Sequence, residues 1–255
     1  MTPHLFVIIP AYNEEKTVGE VIRKIFALHV TGYMLQVLVV DDGSNDNTAE
    51  VAHKAGAIVL RHPINRGLGA ALSTGIAGAL RLIHNAPQPP LNLRGGVIVT
   101  LDGDGQHDPG EIPRLIEPIA QGKAEVVIGS RFMGSRQART IYSSSEAKRS
   151  REVPLSRRIA NLFGNFFTWL LFGIWVSDSQ SGFRAFSKDA AERLRLRTST
   201  MEVSSEIIRE IARLKLKLTE VPITVRYTAY SLSKGQGFMR GLETLWKLIV
   251  LRFFR

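Results

Sequence analysis

Between Leu101 and Pro109 the chain reads LDGDGQHDP. Asp102, Asp104, Asp108, His107 and two glycines follow directly on the apolar run GGVIVT. Carboxylates this close repel one another, so they gain nothing unless something positive sits between them. The plainest reading is an acidic turn capping a helix that starts near Pro109. The chemical reading is a cation site. Asp102 and Asp104, two apart in a turn, can aim both carboxylates at one point. Mg²⁺ is typically held by one or two carboxylates, with substrate phosphates and water completing its octahedron. Gln106 suits such a hard ion better than His107, because an amide oxygen is the harder donor. Asp108 followed by Pro109 keeps the signature of a helix cap. Asp102 and Asp104 would therefore bridge a cation to a diphosphate.

The elements that must position this loop can be read from periodicity. Short apolar runs alternate with helical patterns, as in successive βαβ units. HLFVIIP is a first strand, followed by a helix from about Glu14 to Leu28. MLQVLVVDD, AIVLRH, VIVTLD and AEVVIGS supply four more strands. Capped or glycine-rich helices lie between them at SNDNTAEVAHKAG, NRGLGAALSTGIAGALRLI and about Pro109 to Gln121. PAYNEE, DDGSND and DGDGQHD follow strands one, two and four. Ligands of open α/β sheets bind at the carboxyl ends of strands, so these three loops should build one crevice. DSQSGFRAFS reads as a loop, with helices near Lys188 to Leu194 and Ser204 to Leu214. LKLTEVPITVRY reads as a strand pair bent at Pro222. No internal repeat appears.

The 255 residues suffice for one α/β domain with a full core. The absence of cysteine excludes disulfides, thiolate metal sites and a cysteine nucleophile. The apolar run Leu5 to Pro10 is too short for the core of a signal peptide. A net charge of +10 calls for an anionic partner. Nucleic acid is disfavoured, because no binding module is recognisable and aromatics do not interleave with the basic residues. Arg136, Arg139, Lys148, Arg149, Arg151, Arg157 and Arg158 crowd a serine-rich stretch without periodicity, which reads as a mobile loop. The apolar run after it, to Val176, falls short of the ~20 residues of a spanning helix. It fits a core helix or one lying on a membrane surface. Phe238 to Arg255 spaces apolar residues helically opposite cations, as an interfacial helix or a docked C-terminal helix would.

PAYNEE, VVDDGSNDNT, NRGLGAAL, DGDGQHDP, GSRF and DSQSGFRAF, in this order, resemble the family 2 glycosyltransferases of the GT-A fold. Within them the pattern is similar to the dolichol- or polyprenyl-phosphate sugar synthases. The resemblance spans Val7 to about Tyr227. It implies a GT-A domain over residues 1–230 with a mostly parallel sheet and flanking helices. A basic acceptor loop would cover about 132–154, and an amphipathic tail 231–255. It also implies that Pro10, Ala11, Tyr12, Glu14 and Gly103 line the nucleotide-sugar pocket, with Asp42 on base or ribose. Asp102, Asp104 and Gln106 would hold Mg²⁺ or Mn²⁺ against the diphosphate. Arg131, Arg184 and Lys234 would receive the acceptor phosphate. The family often has lysine where this chain has Leu68. Asp41, Glu15 and Asp46 read as capping or salt-bridged surface acids.

Asp178 separates two mechanisms. It would be the general base for a hydroxyl acceptor. A lipid monophosphate, with a second pKa of about 6, arrives ionised and needs little base catalysis. Asp178 would then orient an arginine or the sugar. The implied reaction is an inverting, metal-dependent hexose transfer from UDP-glucose, another UDP-sugar or GDP-mannose to dolichyl or polyprenyl phosphate. A sugar-hydroxyl acceptor is the alternative, and a non-catalytic nucleotide-sugar or nucleic-acid binder is a third reading. The expected setting is peripheral, on the cytoplasmic face of an anionic membrane.

Overall fold

The computed structural model describes residues 2–85, 96–133 and 155–225. The expected basic loop, about 132–154, falls outside the described residues from 134 on, and the expected tail, 231–255 with Lys234, lies wholly outside them.

Seven strands form one sheet in the order β3-β2-β1-β4-β6-β5-β7. β1 (His4–Ala11), β2 (Met34–Asp41), β3 (Ile58–Arg61) and β4 (Val97–Thr100) pair in parallel. They are joined by α1 (Val18–Phe26), α2 (Thr48–Lys54) and α3 (Leu68–Asn85). A turn of 3₁₀ helix (Pro109–Glu111) and α4 (Ile112–Ala120) lead to β5 (Val126–Ser130). After it come α5 (Leu155–Phe172), β6 (Arg184–Ser187), α6 (Lys188–Arg193), α7 (Val203–Leu214) and β7 (Leu218–Pro222). This is the mostly parallel α/β architecture expected.

β1 shows why near-continuous apolar runs form central strands. Side chains alternate across a strand, and helices cover both faces of this sheet. Leu5, Val7 and Ile9 enter a core with Val21, Ile22 and Ile25 of α1 and Ile112, Leu115 and Ile116 of α4. Phe6 and Ile8 enter a second core with Leu72 and Ile76 of α3 and Ile207, Ile208 and Ile211 of α7.

One element departs from the sequence reading. RAFS, taken as part of a loop, is β6, antiparallel to β4 on one side and to β5 on the other. It is short, and it carries an arginine where a central strand normally carries only apolar groups. Arg184 is nonetheless 2 % exposed. At the far edge β7 ends at Pro222, and of the second strand expected beyond the bend only an isolated bridge from Val225 to His107 is present among the described residues.

α5 buries one face only. Asn161, Asn165 and Thr168 are buried on one face. Leu162, Phe163, Phe166, Trp169 and Leu170 are exposed on the other, with Phe163 at 61 %. Among the described residues, no helix is long and apolar enough to cross a membrane.

Glu111 ties the 3₁₀ turn to the end of the sheet. Both its oxygens accept from the Thr224 N–H, at 3.1 and 3.0 Å. Burial raises its carboxyl to about 7, against the Thr224 N–H and Arg114, which lower it. The folded value lies above the ordinary 4.5. Its contribution to stability is therefore complete below that value and lost as pH rises through about 7. Glu111→Gln, which keeps an accepting oxygen, should raise the melting temperature more near pH ~8 than near pH ~5. Thermal unfolding of both proteins at the two pH values checks this.

Candidate active site

The carboxyl ends of β1, β2 and β4 open on one edge, and hydrogen bonds tie their loops together. Asp42 N donates to Ala11 O at 2.8 Å, extending the β1–β2 pairing by one step. Asn13 N donates to Ser44 Oγ at 2.9 Å and Glu14 N to Thr48 Oγ1 at 2.8 Å. Thr17 Oγ1 donates to Gly103 O at 2.9 Å and to Glu14 Oε2 at 3.0 Å. The polar loops of the sequence are thus one crevice. Pro10, Ala11 and Tyr12 run along its floor and rim, and Tyr12 is exposed.

Asp102 emerges from β4 with its side chain 38 % exposed. A Cβ on Gly182 would lie 2.5 and 2.6 Å from its two carboxylate oxygens. Glycine is required there because the Asp102 carboxylate lies directly against the backbone. The sequence reading missed this role, although DSQSGF placed a glycine two residues before a buried strand. Gly182→Ala should displace Asp102 and lower turnover about a hundredfold, as a small misplacement at a reacting centre does. Steady-state kinetics beside a melting curve would measure it.

Asp104 faces Gln106, whose backbone N–H donates to Oδ1 at 3.0 Å and whose side-chain amide donates to Oδ2. The amide nitrogen is therefore turned toward the carboxylate. For Gln106 to serve as a ligand, its amide would have to present oxygen instead. Burial raises the Asp104 carboxyl, and the neighbouring Asp102 charge raises it further. Asp102 is raised by burial, with Arg131 and Arg184 opposing and Glu14 adding to the rise. This is the repulsion that the spacing predicted. Asp108 Oδ1 accepts from Gly110 N at 2.9 Å and caps the 3₁₀ turn, so that part of the plain reading holds.

His107 had no assigned role from sequence. It is buried against Phe183, with ring centroids 5.3 Å apart, and its Nδ1 lies 3.6 Å from Asp102 Oδ2. Burial, helped by Arg131, lowers it to about 4, so it is neutral at pH ~7.

Asp178 has no exposed side-chain surface, and Arg131 grips it in a two-pronged fork. Arg131 Nε donates to Oδ2 at 2.7 Å, Nη2 to Oδ1 at 2.7 Å, and the backbone N–H to Oδ2 at 3.1 Å. Asn161 and Asn165 hold the backbone on either side of Asp178.

Arg184 lies beneath this pair. Its Nη2 donates to Ser179 O at 2.8 Å and to Ser204 O at 3.4 Å. Burial lowers it to about 10, opposed by Asp178 and Asp102, so it stays charged. It is a buried countercharge to both carboxylates, with little surface to offer an acceptor.

Asp42 is also engaged internally. Its carboxylate accepts from Arg66 N at 2.9 Å and Gly67 N at 2.7 Å, and meets His62 Nδ1 at 2.7 Å. This fixes the NRGLG turn and occupies the oxygens assigned to base or ribose. Glu15 and Asp46 are capping acids as expected, holding Asn47 and Thr48. Asp41 is not a surface acid. It is fully buried, with Arg61 Nε at 3.1 Å.

Among the described residues no three His, Cys, Asp or Glu side chains cluster as a metal cage. Two carboxylates with raised pKa values still fit a divalent ion whose other ligands come from a bound diphosphate.

A family model described as "Glycosyl transferase family 2" matches residues 6–195. The chain is a family 2 glycosyltransferase. Several relatives match this glycosyltransferase along nearly its whole length. An uncharacterized protein of Methanocaldococcus jannaschii is 41 % identical over 252 residues, covering 98 % of this chain and 93 % of the relative. The UDP-N-acetylglucosamine–dolichyl-phosphate N-acetylglucosaminyltransferase of Methanococcus voltae is 33 % identical, covering 97 % and 96 %. Among solved structures, glucosyl-3-phosphoglycerate synthase of Mycobacterium tuberculosis superposes with a TM-score of 0.67 at 22 % identity. That match covers 98 % of this chain and 80 % of the synthase. Its complex with Mn²⁺, UDP-glucose and phosphoglyceric acid gives 0.64 at 20 %. The fold of the glycosyltransferase is therefore GT-A.

Proposed function

We propose that this glycosyltransferase moves a hexose from a UDP-sugar to a polyprenyl or dolichyl monophosphate, giving a lipid-linked β-sugar phosphate. The Arg131–Asp178 fork is the observation that carries this reading. A general base must reach the proton it removes, and both oxygens of Asp178 are already occupied by Arg131. An acceptor that arrives ionised needs no such base. It needs a guanidinium held in place, which the fork supplies. Arg131 would receive the acceptor phosphate, with Asp178 fixing its plane and Arg184 balancing the buried charge. Asp102 and Asp104, with Gln106 turned oxygen-inward, would hold Mg²⁺ or Mn²⁺. Such an ion supplies a Lewis acid for the diphosphate oxygens. Glu14 and Thr17 tie the nucleotide loop to Gly103, so the donor and the metal loop are held as one body.

A lipid acceptor requires approach to a bilayer, and the outer face of α5 suits one. Trp169 and Trp175 lie edge to face at 6.5 Å beside Phe166, an aromatic cluster of the kind found at headgroup depth. The net charge of +10 favours an anionic, cytoplasmic membrane face. The UDP donor is favoured by the DSQSGF motif and by the donor named for the Methanococcus voltae relative.

Transfer of radiolabel from UDP-N-acetylglucosamine, UDP-glucose and GDP-mannose to dolichyl phosphate tests the proposal. Organic-soluble product with a UDP-sugar is expected. Its absence with every donor, or label appearing only on a sugar hydroxyl, would overturn it.

A further inference from the structure

α5 carries two faces with unrelated chemistry. Leu162, Phe163, Phe166, Trp169 and Leu170 lie exposed on one side. On the opposite side Asn161 and Asn165, one helical turn apart, both donate to the carbonyl of Ser177, at 2.9 and 2.7 Å. Asn165 Oδ1 also accepts from Ser179 N at 3.0 Å. These two asparagines thus grip the peptides immediately before and after Asp178. Each is at most 8 % exposed. Burying an amide is costly, the more so as Asn161 Oδ1 has no hydrogen-bond partner among the described residues. A plain packing contact would be served by leucine, so the two Nδ2 groups and Asn165 Oδ1 are what these residues are kept for. Ser177 is held from a third side by Glu220, which accepts its N–H and its hydroxyl. The Ser177 hydroxyl in turn meets that of Ser130, the residue before Arg131. Hydrogen bonds therefore link the helix to Ser177 and Ser130, the residues that immediately precede Asp178 and Arg131 in the chain.

We infer that Asn161 and Asn165 are positioning residues coupling α5 to the fork, so that the seating of the helix on a lipid surface orders Arg131 and Asp178 for the acceptor phosphate. The inference rests on the lipid-acceptor reading for its membrane partner, and it deepens that reading by adding regulation to it. Such a network of buried hydrogen bonds can carry energetic coupling between two sites.

The test uses Asn161→Leu, Asn165→Leu and the double variant in the full chain. Hydrogen exchange of segment 126–133 is followed with and without phosphatidylcholine–phosphatidylglycerol vesicles. Exchange there should rise several-fold in the double variant, although no residue of that segment is changed. Segment 34–48, in the nucleotide half, should stay as it was. Vesicles should slow exchange in 126–133 for the parent protein and not for the double variant, which still sediments with vesicles. With farnesyl phosphate as a soluble acceptor, the acceptor KM should rise about tenfold while the donor KM holds, and only the parent should respond to vesicles. Unchanged exchange in 126–133, or a rise shared by 34–48, would overturn the coupling. If the double variant does not fold, the single variants decide by the same two segments. The exchange result needs no turnover. A parent that transfers nothing to any polyprenyl phosphate would sink the proposed function and leave the coupling to be judged on exchange alone.

Discussion

Asp104→Asn should make the metal-free protein more stable and its catalysis worse. The two effects have one origin. Burial and the Asp102 charge both raise the Asp104 carboxyl, so its ionised form is a liability in the empty fold. The linkage sign follows. With the folded pKa above the unfolded one, this group's contribution is complete below the ordinary carboxylate range. It is then lost as pH rises through the elevated value. Asparagine removes the charge without changing the shape, so the melting temperature should rise most on the alkaline side. Mn²⁺ with UDP should raise the melting temperature of the parent by mass action and leave the variant nearly unmoved. Turnover should fall about a thousandfold, since a Lewis acid contributes several kcal/mol and each ~1.4 kcal/mol is a factor of ten. Calorimetry with and without Mn²⁺ and UDP, beside the transfer assay, reads all three effects. An asparagine variant that melts lower than the parent without metal would contradict the repulsion described here.

Asp178→Asn is the second large effect, and its kinetic signature separates the two mechanisms. Asparagine can accept from Arg131 through only one oxygen and carries no charge. The guanidinium would lose its counterion in a site where Asp178 itself is wholly buried. Breaking such a pair from one side costs on the order of 3 kcal/mol of stability. For a phosphate acceptor the loss should fall on the acceptor KM, about ten- to a hundredfold, with kcat reduced far less. Were Asp178 the base for a hydroxyl, kcat itself would drop by about 10²–10⁴ with the acceptor KM little changed. The pH profile adds a second readout. A base mechanism loses its acidic limb on substitution, whereas an orienting aspartate leaves that limb in place.

The parts of this fold that were legible in the sequence are those whose burial is apolar on both faces. β1, β2, β4 and β5 announce themselves as unbroken runs of valine, isoleucine and leucine, and their order forces the crevice at their ends. The acidic loop was legible for the opposite reason, because nothing in a folded core explains Asp102 beside Asp104. β6 was hidden because its four residues include an arginine. Burying Arg184 is tolerable only when Asp178 and Asp102 stand within reach of its charge, and separations of six and 82 residues carry no periodic signal. Asp42 misled for a related reason. An aspartate at a strand end reads as a ligand contact, and only the folded chain reveals that the Arg66–Gly67 turn has come round to use it. The asparagines of α5 were visible as anomalies in the apolar run after Arg158, yet their partner at Ser177 lies 16 and 12 residues on and across a turn.

The reversed direction of β6 has a consequence for how the chain is made. β1 to β4 emerge in order and pair with neighbours already synthesised. β4 then waits with one edge open until residues 184–187 arrive, because β5, though made earlier, sits beyond β6 in the sheet. Unpaired strand edges invite association with other chains. Through that interval β1 to β4 are assembled, while Gly182 has not yet closed on Asp102. A ribosome pausing between β5 and β6 would therefore hold an intermediate that is sticky and whose Asp102 loop is unfinished. Chaperone demand should concentrate in that window of synthesis.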